Sequence, residues 1–152
     1  MPELPEVETI RNELAPRVAG RKVIRVEVLS PSTISHPSPL GFSQGLQGKA
    51  IQGLERRGKY LIFRLSSGES MIAHLRMTGA LLMNPPESSP YARAVFYFDN
   101  GDRLVFLDRR KLGKLWLVAE PSQVVGKLGP EPLSADFTVD VLADRLKKRS
   151  AS

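Results

Sequence analysis

Lys59-Tyr60-Leu61-Ile62-Phe63-Arg64-Leu65, then Ser66-Ser67-Gly68, then Ser70-Met71-Ile72-Ala73-His74-Leu75-Arg76, is the stretch that decides the fold. Two strand-like runs flank a turn signal, which reads as an antiparallel hairpin. The same grammar continues in both directions. Upstream, residues 49–56 form another strand run, and Val23-Ile24-Arg25-Val26-Glu27-Val28 alternates like a half-buried strand. Downstream, strands are expected at 80–83, 93–98, 103–107 and 114–118, with Asn100-Gly101 as a second hairpin turn. Many short strands at close spacing predict an antiparallel β-sandwich or barrel.

Helical periodicity brackets this β-rich centre. Over 5–18, Val7, Ile10, Leu14 and Val18 fall on one face, with Glu6 and Glu8 in the first turn and Gly20 as a stop. Residues 31–48, rich in Ser, Pro and Gly, read as a loop with a short helix, and Pro85 to Pro90 as a second polar loop. After Pro121 the pattern returns to helical through Val124, Val125 and Leu128, and Gly129-Pro130 stops it. A last helix is expected from Asp136, with Val139, Leu142 and Leu146 on one face. That stripe is still running where the sequence ends, which leads to the expectation of a longer protein. The fold class expected is α+β, mainly β: an antiparallel β-sandwich flanked by an N-terminal helix and C-terminal helices.

Length and composition set bounds. The 152 residues suit one domain or one domain plus a fragment, with 41% hydrophobic and 25% charged residues. There is no cysteine, which excludes disulfides and thiolate metal sites within these residues. Two histidines far apart, His36 and His74, make a poor zinc site. No apolar run approaches the roughly 20 residues of a membrane helix, and the N-terminus lacks signal-peptide character, so a cytoplasmic protein is expected. The net charge of +6 favours a polyanionic partner.

Chemistry enters at the N-terminus. An initiator methionine before proline is usually removed, which would leave Pro2 with a secondary amine. An α-amino group titrates near 8, so part of it is free base at neutral pH. Such an amine can attack an electrophilic carbon and form an iminium. Glu3 beside it and Glu6 one turn on could move protons. On spacing alone, Pro2 simply starts a helix and the glutamates cap it.

The longer runs change that balance. Met1-Pro2-Glu3-Leu4-Pro5-Glu6-Val7-Glu8-Thr9 resembles the N-terminal signature of the bacterial formamidopyrimidine-DNA glycosylase family. Arg56-Arg57-Gly58-Lys59-Tyr60-Leu61 is similar to its hairpin-lysine motif, and His74-Leu75-Arg76-Met77-Thr78-Gly79 to its void-filling methionine loop. Asp108-Arg109-Arg110-Lys111-Leu112-Gly113 resembles its Arg-Arg-Phe-Gly loop, and Leu128-Gly129-Pro130-Glu131-Pro132-Leu133 its link into a second domain. Five motifs in order span residues 1 to 133.

The resemblance implies excision of oxidised purines, such as 8-oxoguanine and formamidopyrimidines, followed by strand cleavage at the abasic site. Pro2 would attack C1′ of a flipped nucleotide, and Glu3 would handle protons at the sugar and the amine. Glu6 would support the catalytic end of the helix. Lys59, on a strand after Gly58, would contact a phosphate beside the lesion, flanked by Arg57. Otherwise Lys59 is an ordinary solvated lysine. Met77 would fill the hole left by the flipped base, where periodicity alone allows a core methionine. Arg110 would bond the orphaned base, by resemblance a cytosine. Leu112 stands where the family usually has phenylalanine, which weakens this second wedge. Arg109 and Lys111 also depart from the usual residues. His74 is expected to be a structural or phosphate-proximal residue.

The resemblance divides the chain into a catalytic β-sandwich domain, 1–120, and a linker with the first helical part of a helix-two-turns-helix domain, 121–152. Full-length members usually carry a cysteine zinc finger beyond this point, so zinc is expected only there and no cofactor in this chain. The partner implied is duplex DNA with an oxidised base, met by a monomer at the bacterial nucleoid, with little activity expected of this half alone. Two rivals stand beside this reading: an endonuclease VIII-like glycosylase for oxidised pyrimidines, and a non-enzymatic DNA-binding module. Leu4 and the Arg110 loop favour the purine branch.

Overall fold

The computed structural model describes residues 4–86 and 89–125. The chain opens with helix α1 (Leu4–Val18), whose Val7, Leu14 and Val18 are buried and whose Ile10 packs against them, the face expected from spacing. Gly20, at φ +80°, ends it in the left-handed region that lacks a Cβ penalty only for glycine. Strand β1 (Val23–Val28) follows, then β2 (Ile34–His36), helix α2 (Pro39–Leu46) and strand β3 (Ile51–Arg57). The remaining strands are β4 (Tyr60–Leu65), β5 (Ser70–His74), β6 (Gly79–Met83), β7 (Ala92–Phe98), β8 (Arg103–Asp108) and β9 (Lys114–Val118).

They form two sheets: β1-β7-β8-β6, and β2-β9-β5-β4-β3. Between them lies the main core. Phe63 of β4, Met71 of β5, Phe96 and Phe98 of β7 and Phe106 of β8 are all buried there. Alternation puts these residues inward and Tyr97 and Arg103 outward. The mainly-β α+β sandwich expected from the sequence is what the chain forms.

Three details depart from the expectation. One pairing is parallel: β2, inside the segment read as a loop, lies beside β9. Its pairs are few and its sequence, Ile-Ser-His, carries no alternation of its own. Next, the described residues after Pro121 form a short 3-10 turn, Pro121–Gln123, where the pattern suggested an α-helix. Val124 and Val125 pack with Ile62, Ile72, Trp116 and Val118 on the outer face of the five-stranded sheet. That sheet is thus buried on both faces, which is why β4 reads as a continuous apolar run rather than an alternating one. Finally, Lys59 lies in the turn between β3 and β4, not on a strand. The expected link at 128–133 and the last helix from Asp136, with its Val139, Leu142 and Leu146 stripe, fall outside the described residues.

Hairpin turns form where the dipeptides placed them. Gly68 (φ +93°) donates its N–H to Leu65 O, and Gly101 (φ +90°) to Phe98 O. Among the described residues no helix is long and apolar enough to cross a membrane.

Phe106 has no exposed surface, whereas Ile24 is about half exposed. Phe106→Ala should therefore cost about 3–5 kcal/mol, and Ile24→Ser no more than about 0.5 kcal/mol. Urea unfolding followed by circular dichroism gives both numbers. Similar midpoints for the two variants would contradict this account of the core.

Candidate nucleic-acid interface

Strand register gathers the motif residues at one end of the sandwich. Tyr60 at the start of β4 pairs with His74 at the end of β5, and His74 pairs with Lys114 at the start of β9. In the other sheet, Gly79 at the start of β6 pairs with Asp108 at the end of β8. The β3–β4 turn, the β5–β6 loop and the β8–β9 loop therefore share this end.

Asp108 organises two of them. On β8 it follows Leu104 and Phe106 in the inward register, and it is fully buried. A carboxylate there must be satisfied by donors. Thr78 Oγ1 donates to its Oδ1 from the β5–β6 loop. From the β8–β9 loop, the Arg110 N–H donates to Oδ1 at 3.2 Å and the Gly113 N–H to Oδ2 at 2.5 Å. Its backbone carbonyl accepts from Arg93 Nε at 2.8 Å. The β8–β9 loop is thus an Asx-type turn folded about its own carboxylate. Two glycines permit this closeness. A Cβ on Gly113 would sit 2.7 Å from Phe106 Cζ and 2.9 Å from His74 O, and one on Gly79 2.5 Å from Leu75 O.

The loops present their side chains outward. Met77 is 51% exposed, which rejects the core-methionine alternative. Arg109, Arg110 and Lys111 are exposed, and Leu112 is half-buried. Arg76 and Lys111 both adopt φ +58°, a left-handed conformation that non-glycine residues enter at a cost of about 1 kcal/mol.

A second buried charge positions the hairpin turn. Arg56, in the inward register after Leu54, is nearly buried. Its Nε donates to Glu8 of α1 at 2.6 Å, and its NH1 to Gly58 O at 2.9 Å. The first turns of α1 are thereby tied to the turn that carries Lys59. Gly58, at φ +63°, precedes Lys59 as the first central residue of that two-residue turn. Arg57 ends β3 opposite Tyr60. Glu6 is exposed on α1.

His74 joins the same end. Its ring meets Tyr60 edge-on at 4.7 Å, and its Nδ1 accepts the Arg76 N–H at 3.2 Å. Burial, then the charges of Arg76 and Lys59, push its pKa down to about 4. The ring is therefore neutral at physiological pH.

Of the residues singled out from sequence, Lys59, His74, Met77, Arg110 and Leu112 come together at one end of the sandwich, and Arg57 and Glu6 lie on the elements that frame it. Pro2 and Glu3 lie outside the described residues. Sequence reasoning missed Asp108, Thr78, Arg56 and Glu8 as positioning groups. The signal was available: Asp108 and Arg56 each extend an inward alternation, and a charge at an inward position demands partners. These 152 residues contain no cysteine, so they do not fit a thiolate zinc site.

These residues form a helix-led β-sandwich with exposed basic and apolar loop tips gathered at one end. Residues 1–115 match the family model for the formamidopyrimidine-DNA glycosylase N-terminal domain. The formamidopyrimidine-DNA glycosylase of Protochlamydia amoebophila is 46% identical, over 98% of this chain and 55% of its own length. That of Symbiobacterium thermophilum is 46% identical, over 100% of this chain and 52% of its own. The Lactococcus lactis enzyme in complex with a Fapy-dG-containing DNA superposes with a TM-score of 0.77 and 35% identity, over 97% of this chain and 56% of that one. This chain belongs to the formamidopyrimidine-DNA glycosylase family. It spans about half the length of the curated relatives it matches.

The His74 geometry generates a pH test. An unfolded imidazole titrates near 6.5, so between that pH and about 4 the unfolded chain binds a proton that the folded chain refuses. Stability should fall as pH drops through this window, and His74→Gln should flatten that fall. Urea midpoints at pH 7.5 and 4.5 measure it. An equal drop for the variant and the parent would remove His74 from the cause.

Proposed function

We propose that the protein is a DNA glycosylase and abasic-site lyase acting on oxidised purines, 8-oxoguanine and formamidopyrimidines, in duplex DNA. One observation carries the reading. An exposed methionine and an exposed arginine sit on two loops joined through a buried carboxylate, beside a basic turn. Flipping a base leaves a hole in the stack and an orphaned partner. Met77 is an apolar tip that fits the hole, Arg110 a fork of donors that fits a base edge, and Lys59 a point charge that fits a phosphate. Leu112 adds a smaller, non-aromatic wedge.

Pro2, freed of Met1, supplies the nucleophile. Its nitrogen attacks C1′ as the base departs with a proton, the C1′–O4′ bond of the resulting aminal breaks with a proton delivered to O4′ through Glu3, and the ring-opened iminium results. The iminium acidifies C2′–H, so elimination of the 3′ phosphate follows. The path of the chain supports this placement. Pro2 precedes α1 by two residues, and Glu8, one turn into α1, is held by Arg56 against the Lys59 turn. The solved Lactococcus lactis complexes contain Fapy-dG or abasic-site DNA, which supports the substrate class. The relatives are bacterial, and in this reading the protein acts as a monomer on the DNA of a bacterial cytoplasm. Residues 121–152 belong, in this reading, to the link into a helix-two-turns-helix domain.

Abasic DNA already has its base removed, so trapping on it needs only the amine and the sugar aldehyde. Borohydride should trap a covalent adduct with this chain once Met1 is off, and mass spectrometry should place it on Pro2. Excision of 8-oxoguanine by these 152 residues should be far slower than trapping. Persistence of the adduct after N-terminal acetylation would overturn the nucleophile assignment. Arg110→Ala should relax discrimination of the base opposite the lesion by about 1–3 kcal/mol. Lys59→Ala should weaken binding to all duplexes and reduce its salt dependence. Equal effects of both changes on opposite-base discrimination would contradict that division.

A further inference from the structure

We infer that Asp108 and Thr78 form a positioning pair that couples the Met77 loop to the Arg110 loop, so that opposite-base discrimination depends on a hydroxyl turned onto a buried carboxylate. The inference rests on the reading of Met77 and Arg110 given above and deepens it.

The carboxylate is shared between two loops from different parts of the chain. Oδ1 takes the Thr78 hydroxyl, next to Met77, and the N–H of Arg110 itself. Oδ2 takes the Gly113 N–H at the far end of the reading loop. The Asp108 carbonyl accepts from Lys111 N–H at 3.3 Å, and the Asp108 N–H donates to Tyr91 O at 2.9 Å. The residue is thereby fixed at main chain and side chain alike. Moving the hydroxyl moves the carboxylate, and moving the carboxylate moves the amides that set the turn.

The cost of each loop's shape argues the same way. Arg76, beside Met77, and Lys111, beside Arg110, both hold φ +58°. Strained backbone of this kind persists only where surrounding contacts over-determine it. In the β8–β9 loop those contacts converge on Asp108; in the β5–β6 loop the Arg76 N–H is held by His74 Nδ1, and the link to Asp108 runs through Thr78. The turn hydrogen bonds of Arg110 and Gly113 end on the Asp108 carboxylate, and Thr78 reaches the same group from the other side. The strand pairing Gly79↔Asp108 anchors the arrangement to the sandwich. A wedge and a reader must enter one hole in the stack together, so their relative placement is part of recognition and not only of stability.

The variants Thr78→Val and Thr78→Ser separate the hydroxyl from the side-chain shape. Valine keeps the volume and removes the donor, and serine restores the donor. The first arm needs no DNA. Hydrogen exchange of the Gly113 amide, 35 residues from Thr78 in sequence, should speed up about tenfold in Thr78→Val, equivalent to about 1.4 kcal/mol. It should return to the parent rate in Thr78→Ser. Unchanged exchange at Gly113 would overturn the coupling whatever the protein does to DNA.

The second arm measures anisotropy of labelled duplexes carrying a tetrahydrofuran abasic analogue opposite C, A, G or T, well below the melting temperature of each variant. Thr78→Val should lower the ratio of affinities between opposite bases by about three- to tenfold. Its effect should disappear in the Arg110→Ala background, because it acts through that loop. Overall loss of affinity with an unchanged ratio would show a merely structural role and overturn the functional half. If Arg110→Ala leaves the parent's discrimination intact, the reading of Arg110 fails, while the exchange arm still scores the coupling by itself. Asp108→Asn tests the same pair from the other side. Its amide would turn a donor towards either Thr78 or Gly113, so any folded Asp108→Asn should match or exceed the Thr78→Val effects in both arms.

Discussion

A carboxylate buried at the end of a core strand is the constraint around which this end of the molecule is built. An uncompensated charge in that position costs several kcal/mol. Asp108 escapes the cost because three donors from two loops close over it. The closure leaves no room for side chains at Gly79 or Gly113, whose missing Cβ atoms let the loops approach the strand and the Phe106 ring. A surface feature, the paired loop tips, is thus specified from inside the core.

The Arg56–Glu8 contact applies the same logic to the other half of the site. As a source of stability a buried ion pair is weak, because desolvation offsets most of the attraction. As a fixer of geometry it is strong. One guanidinium meets a helix carboxylate and the carbonyl of Gly58, so the start of α1 and the Lys59 turn cannot drift apart without stranding a buried cation. Two charges placed in inward registers, one per sheet, therefore hold four separate segments at one end of the sandwich.

Much of this was legible in the sequence, for identifiable reasons. The α1 face, the hairpins at Gly68 and Gly101 and most strands follow from periodicity and turn chemistry, which are local signals. Strand β2 was not legible, because its pairing with β9 is non-local and parallel and its three residues show no pattern. The turn position of Lys59 was blurred by a boundary of one residue. Met77 and Arg110 were marked by motif, yet spacing could not say whether Met77 faced in or out. Only its exposure decides that. Asp108 shows the converse failure. Its inward parity after Leu104 and Phe106 is readable, but an aspartate at a strand end beside three cations carries the same pattern as a solvated turn residue, and only its burial separates the two.

The exposed tips are not what folding alone would select. A half-exposed methionine and two left-handed non-glycine residues all oppose stability, each by a modest amount. They lie within two loops, and both loops are tied to the buried Asp108 carboxylate. A fold that merely needed to connect β5 to β6 and β8 to β9 would place glycine or asparagine at the positive φ angles and a polar residue at the tip. Leucine at 112 fits the same view. Half-buried, it lends apolar surface to the reading loop's base while Met77 remains the more exposed apolar tip. The chain thus sets one flexible apolar side chain above a rigidly held carboxylate; on the proposed function, a soft tip would adapt to a gap in the stack while the donors of Arg110 stay in register with the base across it.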